Sequence, residues 1–382
     1  MNVTVLGASS TKFGELWQIS PRDLVGRTVA DTLLEADIPR RKIQAVIVGN
    51  MLSGILGGQE HLGAFFAEEL NLKVPAVKVE SACASGGMAV HTAVMAIISG
   101  LYETVLVVGV EKMTDYKPEE LAQALMGAGS DVEREAGATF PALYAMMARV
   151  HMDKYQTTET DMAAVAVKNH LHASLNSQAH FPFRITVEQV LASPKVASPL
   201  KLLDCSPVTD GAASILLTKS AKIKNKRQVS IIASASSTDS LGLSERQSLD
   251  SIKATSIAAK KAFELSAVSP TEVDIAEVHD CFTIAEIMAM EDIGFYKKGE
   301  AAPAIREGKT GLNGRPVVNI SGGLKASGHP VGATGVKQIV EIYHQLKGDS
   351  GKRQVSKARV GLSHNVGGSG ASAVIHILKS FK

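Results

Sequence analysis

Short apolar runs alternate along this chain with stretches whose apolar positions recur at helical spacing. The runs Val3–Gly7, Ala45–Gly49, Thr104–Gly109, Ser214–Lys219, Ile275–His279, Val360–His364 and Ala373–Leu378 have the length and branched-residue content of buried strands. Strands alternating with helical patterns predict an α/β architecture built on largely buried mixed sheets.

The pattern also repeats. When residue n is set beside residue n+230, Leu33 meets Phe263, Ile38 meets Val268, Ile43 meets Val273 and Val48 meets Val278. In each copy an amphipathic helical pattern ends, a turn containing Pro39 or Pro270 follows, and an apolar strand begins. The later strand candidates then pair in order, Thr104–Gly109 with Val360–His364 and Ser214–Lys219 with Ala373–Leu378. The repeat is half a protein long, which predicts two similar halves at residues 1–222 and 223–382. Between them Lys219, Lys222, Lys224, Lys226 and Arg227 read as a solvated linker.

The copies differ in one large respect. Before the strand at Ser214 the first half carries roughly 90 additional residues, about 114–205, where the second half has a short Gly/Ser turn; such an insertion predicts a subdomain covering a substrate. It contains helical patterns at Pro141–Lys154 and Thr160–Leu175, with Met146, Met147 and Met152 expected in the packing between helices.

Composition narrows the function classes. A chain of 382 residues, 45% hydrophobic and with a formal charge of +2, has ample core and no field suited to nucleic acid. Nowhere do apolar residues run uninterrupted for the ~18 positions of a membrane span, and no charged leader precedes Val3. The three cysteines, at 83, 205 and 281, form no CxxC pair and no metal cluster, so a reducing, cytoplasmic setting and no bound metal are expected.

The candidate chemistry lies in glycine-rich turns after strands. One turn, Val79-Glu80-Ser81-Ala82-Cys83-Ala84-Ser85-Gly86-Gly87, presents a thiol; another, running from Gly322 to Gly335, presents His329 between Gly328 and Pro330. The small residues after each suggest room for another molecule's backbone or acyl group. A helical pattern follows Cys83 through Met88, Val90, Val94, Ile97 and Ile98 to Gly100, apolar nearly all round and expected to be buried. The partial positive charge at its N-terminus would favour a thiolate at Cys83, with His329 as base. His91, on the same helix, reads as a satisfied core histidine. Two further clusters follow strands: His279-Asp280-Cys281-Phe282, which supplies a second imidazole and thiol, and Ser363-His364-Asn365-Val366-Gly367-Gly368, whose amides suit an oxyanion hole. The glycine loop around His329 lacks the Lys-Ser/Thr ending of a phosphate loop.

With these turns the chain resembles the thiolases end to end, especially the archaeal and sterol-carrier-protein-2-type branch. Ser81–Gly86, Glu111-Lys112-Met113, His279–Phe282, Gly328-His329-Pro330 and His364–Gly368 carry the resemblance. It implies a thiolase fold of two βαβαβαββ halves in five layers, α-β-α-β-α, with a loop domain inserted in the first. It implies that Cys83 is acylated by a coenzyme A thioester and that His329 activates it and helps hold the enolate, with a water on His279. It implies a second oxyanion hole from the amides of Cys83 and Gly367. The family's usual C-terminal Cys-x-Gly cysteine is absent, Asn365 standing at that spacing, so the second proton shuttle is assigned to Cys281, with His364 or Asn365 as alternatives. Cys205 matches no motif and is expected to be structural.

The implied reaction is acetoacetyl-CoA plus CoA to and from two acetyl-CoA, with coenzyme A as substrate and no permanently bound cofactor. A ketoacyl or hydroxymethylglutaryl-CoA synthase type of condensing enzyme, or a non-catalytic acyl-CoA-binding scaffold, are the alternatives. The family further implies a homodimer or homotetramer, and in archaea a complex with hydroxymethylglutaryl-CoA synthase and a zinc-ribbon/OB-fold protein. The last strand candidate ends near Lys382, which predicts no appended sterol-carrier domain, and Ser380-Phe381-Lys382 is not a peroxisomal address.

Overall fold

A computed structural model describes residues 3–219 and 227–381. Lys222, Lys224 and Lys226 of the expected linker, and the expected boundary between 222 and 223, lie outside the described residues. The first half runs β1 (Val3–Ser10), α1 (Pro21–Ala36), β2 (Ala45–Gly49), α2 (Leu62–Glu69), β3 (Ala76–Val79), α3 (Ser85–Ile98) and β4 (Thr104–Glu111). An insertion follows with α4 (Pro118–Met126), α5 (Asp131–Glu135), α6 (Phe140–Tyr155), α7 (Glu159–Ala173) and α8 (Val187–Ala192), then the small strands β5 (Lys195–Ala197) and β6 (Leu200–Lys201), before β7 (Gly211–Lys219) closes the half. The second half runs β8 (Gln228–Thr238), α9 (Lys253–Ser266), β9 (Ile275–Glu277), α10 (Thr283–Asp292), α11 (Ala301–Arg306), β10 (Val317–Val318), α12 (Gly323–Ser327), α13 (Val331–Lys347), β11 (Val360–Gly367) and β12 (Ser372–Phe381).

The internal repeat is visible in the pairing. Strand order in the first half is β3-β2-β4-β7-β1 and in the second β10-β9-β11-β12-β8, the same arrangement reflected in sequence position. Beyond the sequence expectation of a sheet in each half, β1 and β8 pair antiparallel edge to edge, Val3 opposite Ile231 and Val5 opposite Val229, giving one continuous ten-stranded sheet. This pairing satisfies two edges that would otherwise be open. The insertion occupies residues between β4 and β7, whereas a turn of four residues, Gly368 to Ala371, joins β11 to β12.

Strand alternation sorts side chains into layers. Val46, Val48, Leu106, Val108 and Leu216 pack under α1 and α2 with Leu24, Val25, Val29 and Phe66. Their neighbours Ala45, Ile47, Val105, Val107, Ile215 and Leu217 face the other way and meet α3 and α13 through Val90, Val94, Val336 and Ile339. Ile275, Val317 and Leu378 of the second half close over the same two helices. On the opposite face of that half, Ala276, Val278, Leu362, Ile375 and Ile377 pack on α9, α10 and part of the insertion. The outcome is the thiolase-type order of helix, sheet, central helix pair, sheet, helix.

Two helical expectations change in detail. Val90, Val94 and Ile97 of α3 are buried, but Met95 and Ile98 are each 50% exposed, because positions three apart on the opposite face of its last turns leave the central layer. In α6 Met147 is buried and Met152 partly so, whereas Met146 points outward at 45% exposure, one helical step off the packed stripe.

Glycines let the two central helices touch backbone to backbone. A methyl group on Gly86 would stand 2.7 Å from the Gly332 carbonyl, and one on Gly335 would stand 2.2 Å from the Gly87 amide nitrogen. One on Gly109 would meet the same Gly332 carbonyl at 2.5 Å. These small residues therefore serve contact between the halves of this chain, not the approach of another molecule. Gly335→Ala should lower stability by at least about 2 kcal/mol, since backbone cannot yield as a side chain can. Gly26→Ala, in an α1 position with no atom within 4 Å of the added carbon, should raise it by about 0.5–1 kcal/mol. Denaturant melts of the two variants check both signs.

Candidate active site

Cys83 sits on an elbow between β3 and α3. Ala82 takes a left-handed backbone at φ 50°, which turns the chain sharply enough to lift residue 83 off the strand line. The Ser85 hydroxyl donates to the Ala82 carbonyl at 2.6 Å and accepts from the Ser81 N–H at 2.9 Å, which locks the turn. His329 is held from three sides. Its backbone N–H donates to Thr209 Oγ1 at 2.8 Å, its ring Nδ1 lies 2.7 Å from Thr334 Oγ1, and Gly328 takes φ 105° where a side chain would strike Thr209 and Phe13. The start of α13 is tied to the first half by the buried Glu111 carboxylate, which accepts from Gly332 N–H at 3.0 Å, Met51 N–H at 3.0 Å, Leu52 N–H at 3.1 Å and Asn50 Nδ2 at 2.7 Å. Burial raises Glu111 to about 7 against those four donors.

These constraints bring Cys83 Sγ, a ring nitrogen of His279 and a ring nitrogen of His329 within 4.8 Å of one another. The two imidazoles meet edge to face, with centroids 5.0 Å apart and planes at 84°. They line a cavity of about 180 Å³ together with Cys83, Cys281, Tyr144 and Phe282. In the extended segment after β9, His279 and Cys281 face this cavity. Asp280 points the other way, accepting from Leu324 N–H at 2.7 Å and Asn169 Nδ2 at 2.7 Å, and so fixes the turn that leads to His329.

Asn365 settles the protonation of His279. Its Oδ1 accepts from the Gly87 N–H at 3.0 Å, which places the amide nitrogen on the other side. That nitrogen donates to the Cys83 carbonyl at 3.0 Å and faces His279 Nδ1 at 3.1 Å, so Nδ1 accepts and the ring proton is on Nε2. The buried Nε2–H has no hydrogen-bond partner among the described residues. His329 has the opposite tautomer. Thr334 Oγ1 directs its own proton to the Pro330 carbonyl at 3.1 Å and accepts from His329 Nδ1–H, which leaves Nε2 with a free lone pair. One ring thus offers a donor and the other a base. This division also disfavours a cation among Cys83, His279 and His329, because His279 would have to give up either its Nε2 proton or its Asn365 contact.

Burial decides the resting charges. It pushes the Cys83 thiol up to about 12, with the Glu111 and Glu80 charges adding to it, despite N–H groups of Gly368 and of Cys83 itself near the sulfur. It pushes His329 down to about 3, and His279 well below the ordinary imidazole value with help from His329 and His364. The resting pair is therefore neutral thiol and neutral imidazole. The thiolate expected from the N-terminus of α3 does not form, because the cost of a buried anion exceeds what one helix end supplies.

Other sequence candidates fall differently. Cys281 lies on the cavity wall, its thiol raised by burial and by Cys83 nearby. His364 does not line the cavity: its Nε2 bonds Thr255 Oγ1 at 2.8 Å and its Nδ1 receives the His279 N–H at 3.5 Å, so it backs His279 instead of meeting substrate. Asn365 is a clamp, since its amide has no proton that titrates. Gly367 abuts the Ser81 carbonyl and lines an outer cleft, and the next residue, Gly368, lines both that cleft and the cavity beside Cys83. Cys205 is half-buried, donates to the Lys201 carbonyl at 3.3 Å and also lines the cavity, a position no motif announced. Tyr144, Thr334 and Thr209 were likewise unmarked in the sequence; of these only Thr334, inside the glycine-rich loop, stood near a recognisable signal. His91 is satisfied by Ser234 at 2.6 Å, as a core histidine should be.

Sequence models of the thiolase N-terminal domain and the thiolase C-terminal domain-like family match residues 3–221 and 235–380. The chain belongs to the thiolase family. It is 46% identical over 381 residues to the acetyl-CoA acetyltransferase of Methanothermobacter thermautotrophicus, covering 98% of this chain and 99% of that one. It is 31% identical to human sterol carrier protein 2 over 97% of this chain and 71% of that protein. Among solved structures, the Ltp2-ChsH2(DUF35) aldolase shares the fold at a TM-score of 0.86 and 22% identity, with 99% of this chain and 98% of that one covered.

Two outcomes are expected. Asn365→Asp cannot donate to His279 Nδ1, so nitrogen-15 NMR of the ring should show its proton moved from Nε2 to Nδ1. Alkylation of Cys83 by iodoacetamide should accelerate about tenfold per pH unit from 7 to 9 without a plateau, as expected for a thiol far below its pKa of about 12.

Proposed function

We propose that this protein is an acetyl-CoA acetyltransferase, interconverting acetoacetyl-CoA plus CoA with two acetyl-CoA through an acyl-cysteine on Cys83. The observation that carries the reading is the pair of opposite tautomers, one base and one donor, flanking Cys83 on an apolar cavity. The acetyl-CoA acetyltransferase name of a relative 46% identical over nearly the whole chain supports the substrate class.

In the cleavage direction Cys83 Sγ gives its proton to His329 Nε2 as it adds to C3 of acetoacetyl-CoA. The N–H of Cys83, with that of Gly367 or of its neighbour Gly368, donates to the resulting alkoxide in this reading. Collapse breaks the C2–C3 bond, leaving an acetyl group on Cys83 and the enolate of acetyl-CoA. That enolate oxygen is met by His279 Nε2–H and by the proton now on His329. Cys281 protonates C2, takes a replacement proton from incoming CoA, and the CoA sulfur displaces the acetyl group. His329 then returns its proton to Cys83, so both thiols and the imidazole end as they began. Because the resting pair is neutral, proton transfer accompanies attack, and charge builds only where donors stand.

The insertion, about 114–205, covers the substrate in this reading, since Leu125, Phe140, Pro141, Tyr144 and Cys205 line the cavity. A space of about 180 Å³ suits a short acyl group. We further propose a cytoplasmic homodimer or homotetramer, with coenzyme A as substrate and no resident cofactor. Among the described residues no helix is long and apolar enough to cross a membrane. A complex with hydroxymethylglutaryl-CoA synthase and a zinc-ribbon/OB-fold protein fits this reading, and the naming of Ltp2 together with ChsH2(DUF35) supports looking for a second protein.

Loss of acetoacetyl-CoA absorbance on addition of CoA tests the proposal. Wild-type protein should turn over, longer 3-ketoacyl-CoAs more slowly, and Cys83→Ala should be slower by at least about 10³-fold. No turnover with any ketoacyl-CoA would transfer support to the acyl-CoA-binding scaffold. Cys281→Ala should still accept an acetyl group on Cys83 yet turn over poorly.

A further inference from the structure

Tyr144, on α6 of the insertion, lines this cavity and has no part in the steps above. It is 1% exposed, and its ring packs on Phe282 with centroids 4.7 Å apart, which fixes where the hydroxyl can reach. The hydroxyl lies 3.3 Å from the Gly368 carbonyl, a long contact for an O–H donor, and shares the cavity wall with the Cys281 thiol, close enough that each influences the other's ionisation. Gly368 is in turn held from outside, because Arg246 donates to the Ser369 carbonyl at 2.8 Å and to Ser369 Oγ at 3.1 Å. One phenolic proton therefore stands between two acceptors, a carbonyl it reaches poorly and a sulfur that is a strong acceptor only as thiolate.

We infer that Tyr144 is a positioning residue for Cys281: its O–H turns from the Gly368 carbonyl to the Cys281 sulfur whenever that sulfur loses its proton, and so stabilises the thiolate between the two proton transfers. The inference rests on the reading of Cys281 as the proton shuttle. By that stage the imidazolium of His329 is engaged with the enolate oxygen, so a charge-assisted O–H···S⁻ bond gives the Cys281 thiolate a donor of its own. The ionisable groups facing this pair are Cys83 from the elbow before α3, His279 and Asp280 from the segment after β9, His329 from the turn before α13, Cys205 from the segment before β7 and, near Tyr144, Arg246 from the loop before α9. Both Cys83 and Asp280 oppose the Cys281 thiolate, which leaves the Tyr144 hydroxyl as a side-chain group that favours it.

Tyr144→Phe keeps the ring contact with Phe282 and removes only the hydroxyl. For acetyl-CoA condensation its kcat should fall about tenfold or more with KM within about twofold, as expected for loss of a hydrogen bond to a charged group. The burst of CoA released as Cys83 is acylated should keep its amplitude. The rising limb of kcat against pH should move to higher pH by about one unit, since the thiolate has lost a donor. A fluorotyrosine at 144, a stronger donor of nearly the same shape, should move that limb to lower pH and serves as the readout should the Phe variant fold poorly. In a Cys281→Ala background Tyr144→Phe should cause no further loss. Unchanged kcat and an unmoved limb in both variants, or an equal loss with and without Cys281, would overturn the inference. Full turnover by Cys281→Ala alone would overturn instead the assignment of the shuttle.

Discussion

The crossing of α3 and α13 at their N-terminal ends is the contact on which everything else depends. Gly86 and Gly87 on one helix and Gly332 and Gly335 on the other approach so closely that a single methyl group would meet backbone atoms. Helices normally pack with axes ~8–10 Å apart, the distance side chains impose. Removing those side chains lets two helix starts, and the turns that feed them, occupy nearly one place. Cys83 lies just before one start and His329 just before the other, so the same contact that joins the halves also assembles the reacting pair.

Protonation states here follow from partners more than from acidity. Burial leaves Cys83, His279 and His329 all uncharged, which by itself would make the two histidines equivalent. Asn365 and Thr334 make them different. An amide oriented by the Gly87 N–H and a hydroxyl oriented by the Pro330 carbonyl dictate which nitrogen bears the proton in each ring. Prearranged donors of this kind require little reorganisation when charge develops in a water-poor cavity.

The insertion contributes containment more than chemistry. Its helix α7 anchors it to the second half through Asn169, which donates to both Asp280 and Glu286, and through Lys168, paired with Glu286 at 2.8 Å. Asp280, raised to about 7 by burial and the Glu286 charge, sits at the centre of that network and also caps the turn before His329. The subdomain that closes the cavity is therefore mechanically joined to the loop that presents the base.

The sequence by itself determined the duplication, the alternation of strand and helix, the place of the insertion, and Cys83, His279, Cys281 and His329 as candidates in turns after strands, because these are local: period, turn chemistry and spacing are written in neighbouring residues. Offset 230 carried Ala45 to Ile275 and Pro39–Arg40 to Ser269–Pro270 without a gap, and β2 and β9 begin where it said. Tertiary structure alone decided the joined ten-stranded sheet, the neutral resting thiol, the clamp role of Asn365 and the presence of Tyr144 and Cys205 on the cavity wall. Each of those depends on burial or on contacts between residues far apart in the chain. Desolvation and close packing are properties of what surrounds an atom in space, and no reading of its sequence neighbours can supply them.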